Sequence, residues 1–242
     1  MGPLDNFTLI GLPYAAGVVF LVGTIYRYKA TKFSYSSLSS QFLEGRMLFW
    51  GTMPFHWGLL FLFIGHMIAF AVPRSLLAFN SHPVRLLIIE VSALMFGLIV
   101  LAGLITLFFR RMNRPRLRVV TTRMDVIVGV LLILEVIIGI TVAVQYRWGS
   151  SWFASVLTPY LRSVIMFQPD IRAVAALPWL IKLHIILAYL IFSMIPFSRL
   201  VHLLVVPFHY IWRPYQRVIW AWDRKRVRRS DTRWSATDPT NT

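Results

Sequence analysis

The chain has 242 residues, 57% of them hydrophobic, with a mean hydropathy of +0.66, which excludes an ordinary water-soluble domain. Its 25 Lys and Arg against 9 Asp and Glu leave a net charge of +16, but the basic residues flank apolar runs rather than forming one recognition face, so no nucleic-acid partner is implied. There is no cysteine, so disulfides, cysteine-held clusters and cofactors attached through cysteine are excluded.

Five apolar runs, at residues 7–26, 47–72, 84–109, 124–144 and 177–206, are long enough to cross a bilayer as helices. They are continuous rather than alternating, which favours helices over a barrel. The stretch before the first run holds Asp5 and no basic residue, so the positive region of a signal peptide is missing and a permanent helix is expected. The first loop carries Arg27, Lys29, Lys32 and Arg46; the second only Arg74 and Arg85; the third Arg110, Arg111, Arg114, Arg116, Arg118 and Arg123. The fourth loop, residues 146–176, is poor in basic residues for its length. Its apolar pieces, 152–161 and 164–167, are too short to span and are expected at the outer interface. After the fifth run come Arg213, Arg217, Arg224, Lys225, Arg226, Arg228, Arg229 and Arg233.

Positive charge favours the cytoplasmic side. The expectation is therefore an all-α inner-membrane protein of five spans, N-terminus outside and C-terminus cytoplasmic. Residues 1–223 would form the membrane domain and 224–242 a charged polar tail, disordered or ordered against a partner. The charge itself has two readings: positive-inside loops with anionic lipids, or a cytoplasmic platform for an acidic soluble subunit.

Ionisable residues inside a membrane are costly and usually mark a function. His56 and His66 lie in the second run, His184 and His202 in the fifth. Antiparallel spans pair His66 with His184 near the outside and His56 with His202 near the cytoplasm. Two histidine pairs on two helices suit two haems, each held between imidazoles, without covalent attachment. On continuous helices the ten-residue spacing of the first pair is about 15 Å and the eighteen-residue spacing of the second about 27 Å, a mismatch of about 12 Å. Eighteen residues make five whole turns, placing His184 and His202 on one face. The alternative for each histidine is a core imidazole bonded to a neighbouring carbonyl. Gly58 and Gly65 would let a flat ring or another helix approach. Met53, Met67 and Met194 read as packing, and His82 and His209 as interfacial residues.

The residues around these histidines resemble the membrane cytochrome b (gamma) subunit of respiratory nitrate reductase. The matching stretches are Pro13, Tyr14, Ala15, Ala16 and Gly17 through Arg27 and Tyr28; Ser39, Ser40 and Gln41; Phe55, His56, Trp57 and Gly58; and Gly65 with His66. Further on they are Arg110 and Arg111; Pro115, Arg116, Leu117 and Arg118 followed by Thr121 and Thr122; Leu183 with His184; and Pro196 through Phe197, Ser198, Arg199, Leu200 and Val201 to His202. The resemblance implies five helices with two b haems. It also implies quinol oxidation near the outer one, and delivery from the inner one to an iron–sulfur (beta) subunit and a molybdenum (alpha) subunit that reduces nitrate on the cytoplasmic face. His66 and His184 would hold the outer haem, and His56 and His202 the inner one. Gly65, His66 and Arg85 are the quinol-site candidates, Arg85 standing where the family carries a lysine before its third span. Arg199 is a candidate for a haem propionate, by a two-pronged ion pair. Glu135, mid-span, is expected to be protonated or paired inside the bundle, with a proton relay as the sharper reading.

The alternatives are a gamma-like cytochrome b of a related complex (nitrite oxidoreductase, or a heterodisulfide or sulfite pathway), a haem-free transporter using the histidines as a relay, and a plain membrane anchor.

Overall fold

A computed structural model describes residues 2–30 and 46–205, apart from the side chain of Arg46, and every regular element among them is helical. The expected polar tail, His209, Lys32 and the stretch Ser39, Ser40 and Gln41 lie outside the described residues.

Five helices are long and apolar enough to cross a membrane: Pro3–Ala30, Met47–Ala71, Pro83–Asn113, Arg123–Gln145 and Trp179–Phe197. They answer the five apolar runs one for one. We call Pro3–Ala30 α1, Arg46–Ala71 α2, Pro73–Asn80 α3, Pro83–Asn113 α4, Arg123–Gln145 α5, Thr158–Ile165 α6 and Trp179–Met194 α7. Proline at the first position starts both α3 and α4, where its missing N–H costs nothing. Leu59, Phe63, Ile88, Val91 and Leu98 are all exposed, an exterior that suits hydrocarbon and not water.

Neighbouring helices pack in the order α2, α4, α5, α7, α1. The closest pair is α2 with α4, and glycine makes it close. A Cβ on Gly103 would lie 2.7 Å from Phe55 N and 2.8 Å from Gly51 O, and one on Gly58 would lie 3.1 Å from Phe96 O. Gly58 therefore admits a helix. By contrast, the backbones of α2 and α7 do not pack together along their lengths.

The apolar pieces of the fourth loop pack on the ends of the helices. Leu157, Tyr160, Ile171 and Val174 of the loop join Leu9, Val142, Ile181 and Ile185 in one buried cluster. Tyr160 donates to Leu9 O at 2.7 Å and Thr158 to Ala69 O at 3.0 Å, while Arg162 reaches Phe70 O at 2.8 Å. Burial pushes the Tyr160 hydroxyl far above its ordinary value, so it stays a donor. Glu90 of α4 accepts from Gly149 N, Ser150 N and Ser150 Oγ at 3.0, 2.9 and 2.7 Å, latching the start of the loop.

One expectation needs correction: the last span is not one continuous helix. α7 ends at Met194, Ile195–Phe197 is a 3-10 turn, Ser198 is extended (φ −121°, ψ 179°), and Arg199–Val205 is 3-10 again. Pro196 cannot donate to the helical ladder, and its ring crowds the preceding turn. The five-turn count between His184 and His202 therefore does not apply.

Gly103→Ala is expected to destabilise the protein by about 1–3 kcal/mol, because the obstacle is backbone and cannot rotate away. Thermal unfolding of the detergent-solubilised protein, followed by circular dichroism, measures it.

Candidate functional site

Three of the four histidines share one local device. Nδ1 of His56 bonds Thr52 O at 2.9 Å, Nδ1 of His66 bonds Leu62 O at 2.7 Å, and Nδ1 of His202 bonds Arg199 O at 2.6 Å. A carbonyl only accepts, so Nδ1 carries the proton and Nε2 keeps its lone pair. On α2 the acceptor is the carbonyl one helical turn back in both cases, so the helix itself sets the tautomer. This is the arrangement that readies an imidazole to bind a metal through Nε2.

The structure brings His56 and His202 together, with ring centroids 6.2 Å apart and planes at 62°. Two imidazoles each bound through a nitrogen at about 2.0 Å to one metal would stand at about this separation. The break in the last span makes the meeting possible. Met194 lies ten residues past His184, the spacing that also separates His56 from His66. Beyond it the chain leaves the α-helical path, so the rise of about 27 Å reckoned for a continuous helix does not describe the stretch from His184 to His202.

His66 and His184 have different surroundings. His66 meets the edge of Phe153 at 5.3 Å, from the fourth loop, and lies within electrostatic reach of His184 and Glu135. No ring contact joins it to His184 among the described residues. His184 rests on α5, where a Cβ on Gly139 would be 3.0 Å from its Cε1, and its Nδ1 is 3.1 Å from Glu135 Oε1. Gly65 has nothing within 4 Å of where a Cβ would be, so one side of α2 beside His66 is open. Arg85 lies over the Phe79 ring at 5.4 Å and makes no contact with Gly65 or His66 among the described residues.

Below His202 sits a charged knot absent from the sequence reading. Asp125 bonds Arg199 Nε at 2.7 Å and Arg111 at 2.9 Å, and closes a capping box with Thr122 at the start of α5. Arg199 also donates to Val120 O at 2.9 Å. Arg199 is thus a strut that joins α5 to the His202 segment, and its Cα carries the carbonyl that holds His202. Arg27 of α1 donates to Pro196 O at 2.6 Å and Ser198 O at 2.8 Å, satisfying carbonyls at the break. Sequence reasoning passed over Glu90 and Asp125. The Thr122–Asp125 spacing is a readable helix start, and both acids lie in or beside apolar runs, but nothing local names the partners they find.

Among the described residues no three His, Cys, Asp or Glu side chains gather as a bare-ion site requires. The histidines instead offer paired imidazoles from separated helices, the donor set that suits a planar metal macrocycle held by axial ligands.

Residues 5–221 match the family described as nitrate reductase gamma subunit. The chain is 31% identical over 209 residues to the nitrate reductase gamma chain of Bacillus subtilis, covering 84% of this chain and 93% of that one. It is 30% identical over 220 residues to the respiratory nitrate reductase 1 gamma chain of Escherichia coli, covering 89% and 97%. It is 29% identical over 212 residues to the nitrate reductase-like protein NarX of Mycobacterium tuberculosis, covering 84% of this chain and 32% of that longer protein.

Removing Asp125 leaves two partly buried arginines facing each other. Asp125→Ala is expected to cost about 3 kcal/mol, and Asp125→Asn less, since an amide still accepts from Thr122 N. Chemical denaturation of the two variants beside the parent ranks them.

Proposed function

The chain belongs to the nitrate reductase gamma subunit family, and from that premise we propose that it is the membrane cytochrome b subunit of a molybdenum-containing nitrate reductase. In this reading quinol is oxidised at the outer end of the bundle. Electrons leave at the cytoplasmic end to an iron–sulfur subunit and from there to the molybdenum subunit where nitrate is reduced. The observation that carries the reading is the His56–His202 pair, 6.2 Å apart, with both Nδ1 atoms committed to backbone carbonyls.

Two b haems fit these residues, His56 with His202 at the inner site and His66 with His184 at the outer. When bound they supply reversible one-electron transfer. The protein's part is geometric and electrostatic. The α2 carbonyls of Thr52 and Leu62 hold two imidazoles in the ligating tautomer. The Asp125–Arg199 strut and Arg27 hold the His202 segment in place. The separation of α2 from α7 and the open side of Gly65 leave width for a macrocycle. Phe153 and the loop behind it cover His66 from the outer side. In this reading the N-terminus faces the outside and the protein sits in the inner membrane. Arg27, Arg111 and Arg199 all belong to the end of the bundle that the loop charges assign to the cytoplasm. The basic residues at that end suit a soluble partner and anionic lipids.

Quinol oxidation outside would release two protons there, while the electrons travel inward. Each charge carried across the full membrane is coupled to about 2.3 kcal/mol per 100 mV. Gly65, His66 and Arg85 remain the quinol-site residues in this reading, with Arg85 held at the outer entrance of α4 by Phe79. Arg199 can offer a propionate only what its ties to Asp125 and Val120 O leave, so its stronger role is to hold His202.

The purified protein is expected to carry about two b haems per chain by pyridine haemochrome, with His66→Ala and His202→Ala each losing a different one. A haem-free protein expressed with ample haem would overturn the reading in favour of a histidine relay through His184 and Glu135. The large subunit that co-purifies distinguishes nitrate reductase from a related complex. Arg85→Ala is expected to raise the KM for quinol severalfold; an unchanged steady-state profile would remove Arg85 from the site.

A further inference from the structure

The four histidines are not equivalent in what stands behind them. Three Nδ1 atoms face a backbone carbonyl at 2.6–2.9 Å, which is a fixed and neutral acceptor. Among the described residues His184 has no carbonyl bonded in that position. The polar atom facing its Nδ1 is Glu135 Oε1 at 3.1 Å, and the Nδ1–H direction lies off that line, so both groups are close without a completed bond. The second carboxyl oxygen, Oε2, is buried and makes no hydrogen bond among the described residues. Glu135 sits near the middle of α5, where an acidic residue in a span is expensive unless it serves a partner.

Metal binding through Nε2 leaves the imidazole proton on Nδ1, and a buried N–H then needs an acceptor. Gly139, one turn along α5, provides the room: any Cβ there would press on the His184 ring at 3.0 Å. At 3.1 Å, Oε1 is already within hydrogen-bond distance of Nδ1.

We propose that Glu135 is a positioning residue that accepts the Nδ1–H of His184, and so sets the outer haem to a lower potential than the all-carbonyl inner site would have. A carboxyl acceptor behind a ligating imidazole raises its basicity more than a peptide carbonyl does, and a more basic axial ligand favours ferric over ferrous iron. The two sites thereby differ through a hydrogen-bond partner, although their axial ligands are the same. The difference runs downhill from the outer end to the inner one, the direction in which quinol-derived electrons must move. This inference rests on the haem reading above.

The test uses the full complex in membranes, with Glu135→Gln and Glu135→Leu beside the parent. Potentiometric titration of the b-haem absorbance reports both potentials, and the signal missing in His66→Ala identifies the outer haem. The expected result is an upward shift of the outer potential in Glu135→Leu, a smaller upward shift in Glu135→Gln, which keeps an acceptor oxygen, and no shift of the inner one. The low-spin ferric resonance of the outer haem should change with it. Loss of the outer haem in Glu135→Leu with retention and a raised potential in Glu135→Gln supports the same role. Two haems with both potentials unmoved in Glu135→Gln and Glu135→Leu overturn the proposal and leave the haem reading standing. A parent complex without b haem overturns both.

Discussion

The interruption of the last span is the constraint on which the arrangement of the histidines depends. Helices in hydrocarbon must satisfy every backbone polar group internally, so a break near the end of a span is tolerable only where side chains supply the missing donors. Here Arg27 supplies them to Pro196 O and Ser198 O. Phe197 and Pro196 pack on Gly23 of α1 so tightly that a Cβ there would lie 2.8–2.9 Å from both. With the break held, Arg199 is free of the α-helical path and reaches Asp125, and His202 follows at a position facing His56. One local failure of helical hydrogen bonding thus links α1, α4, α5 and the last segment.

The opposite end of the bundle is built on another principle. There the fourth loop supplies a buried apolar cluster and a set of long-range hydrogen bonds, among them Tyr160 to Leu9 O, Thr158 to Ala69 O and Arg162 to Phe70 O. The Lys182–Asp5 pair at 3.1 Å joins α7 to α1 beside it. The membrane-facing sides stay apolar and exposed while the two ends carry the specific polar chemistry. That division follows from the solvent: in lipid, burial of apolar surface does not discriminate between helix arrangements, so polar contacts and close glycine approaches must.

The number, order and approximate limits of the spans were legible because hydropathy over some 20 residues has few competing explanations. That His56 and His202 come close was legible from antiparallel topology, and Glu135 stood out as an acid in an apolar run. The break was not legible, because proline alone does not decide: Pro54 lies inside α2, which continues through it, whereas Pro196 ends α7. What differs is the set of carbonyl partners and packing surfaces, which comes from residues over 160 positions away. The packing of the fourth loop was not legible for a related reason. Nothing in short apolar pieces names their partners, and Tyr160, Thr158 and Arg162 find theirs in carbonyls of α1 and α2 far off in sequence. The Asp125 knot had a local half, the Thr122 capping box, and a non-local half that no spacing encodes.

Two short stretches, Phe7–Gly11 in α1 and Phe153–Leu157 in the fourth loop, are π-helical. A π turn is an α-helix carrying one additional residue, a local insertion absorbed by a wider ladder. The chain length is therefore quantised at these points. Deleting a single residue from 7–11 would restore regular α-helical winding and leave the turns on either side in phase. What it would remove is the widened turn itself, which carries Leu9, the residue whose carbonyl accepts from Tyr160. This end of the bundle is in this sense keyed to an irregularity.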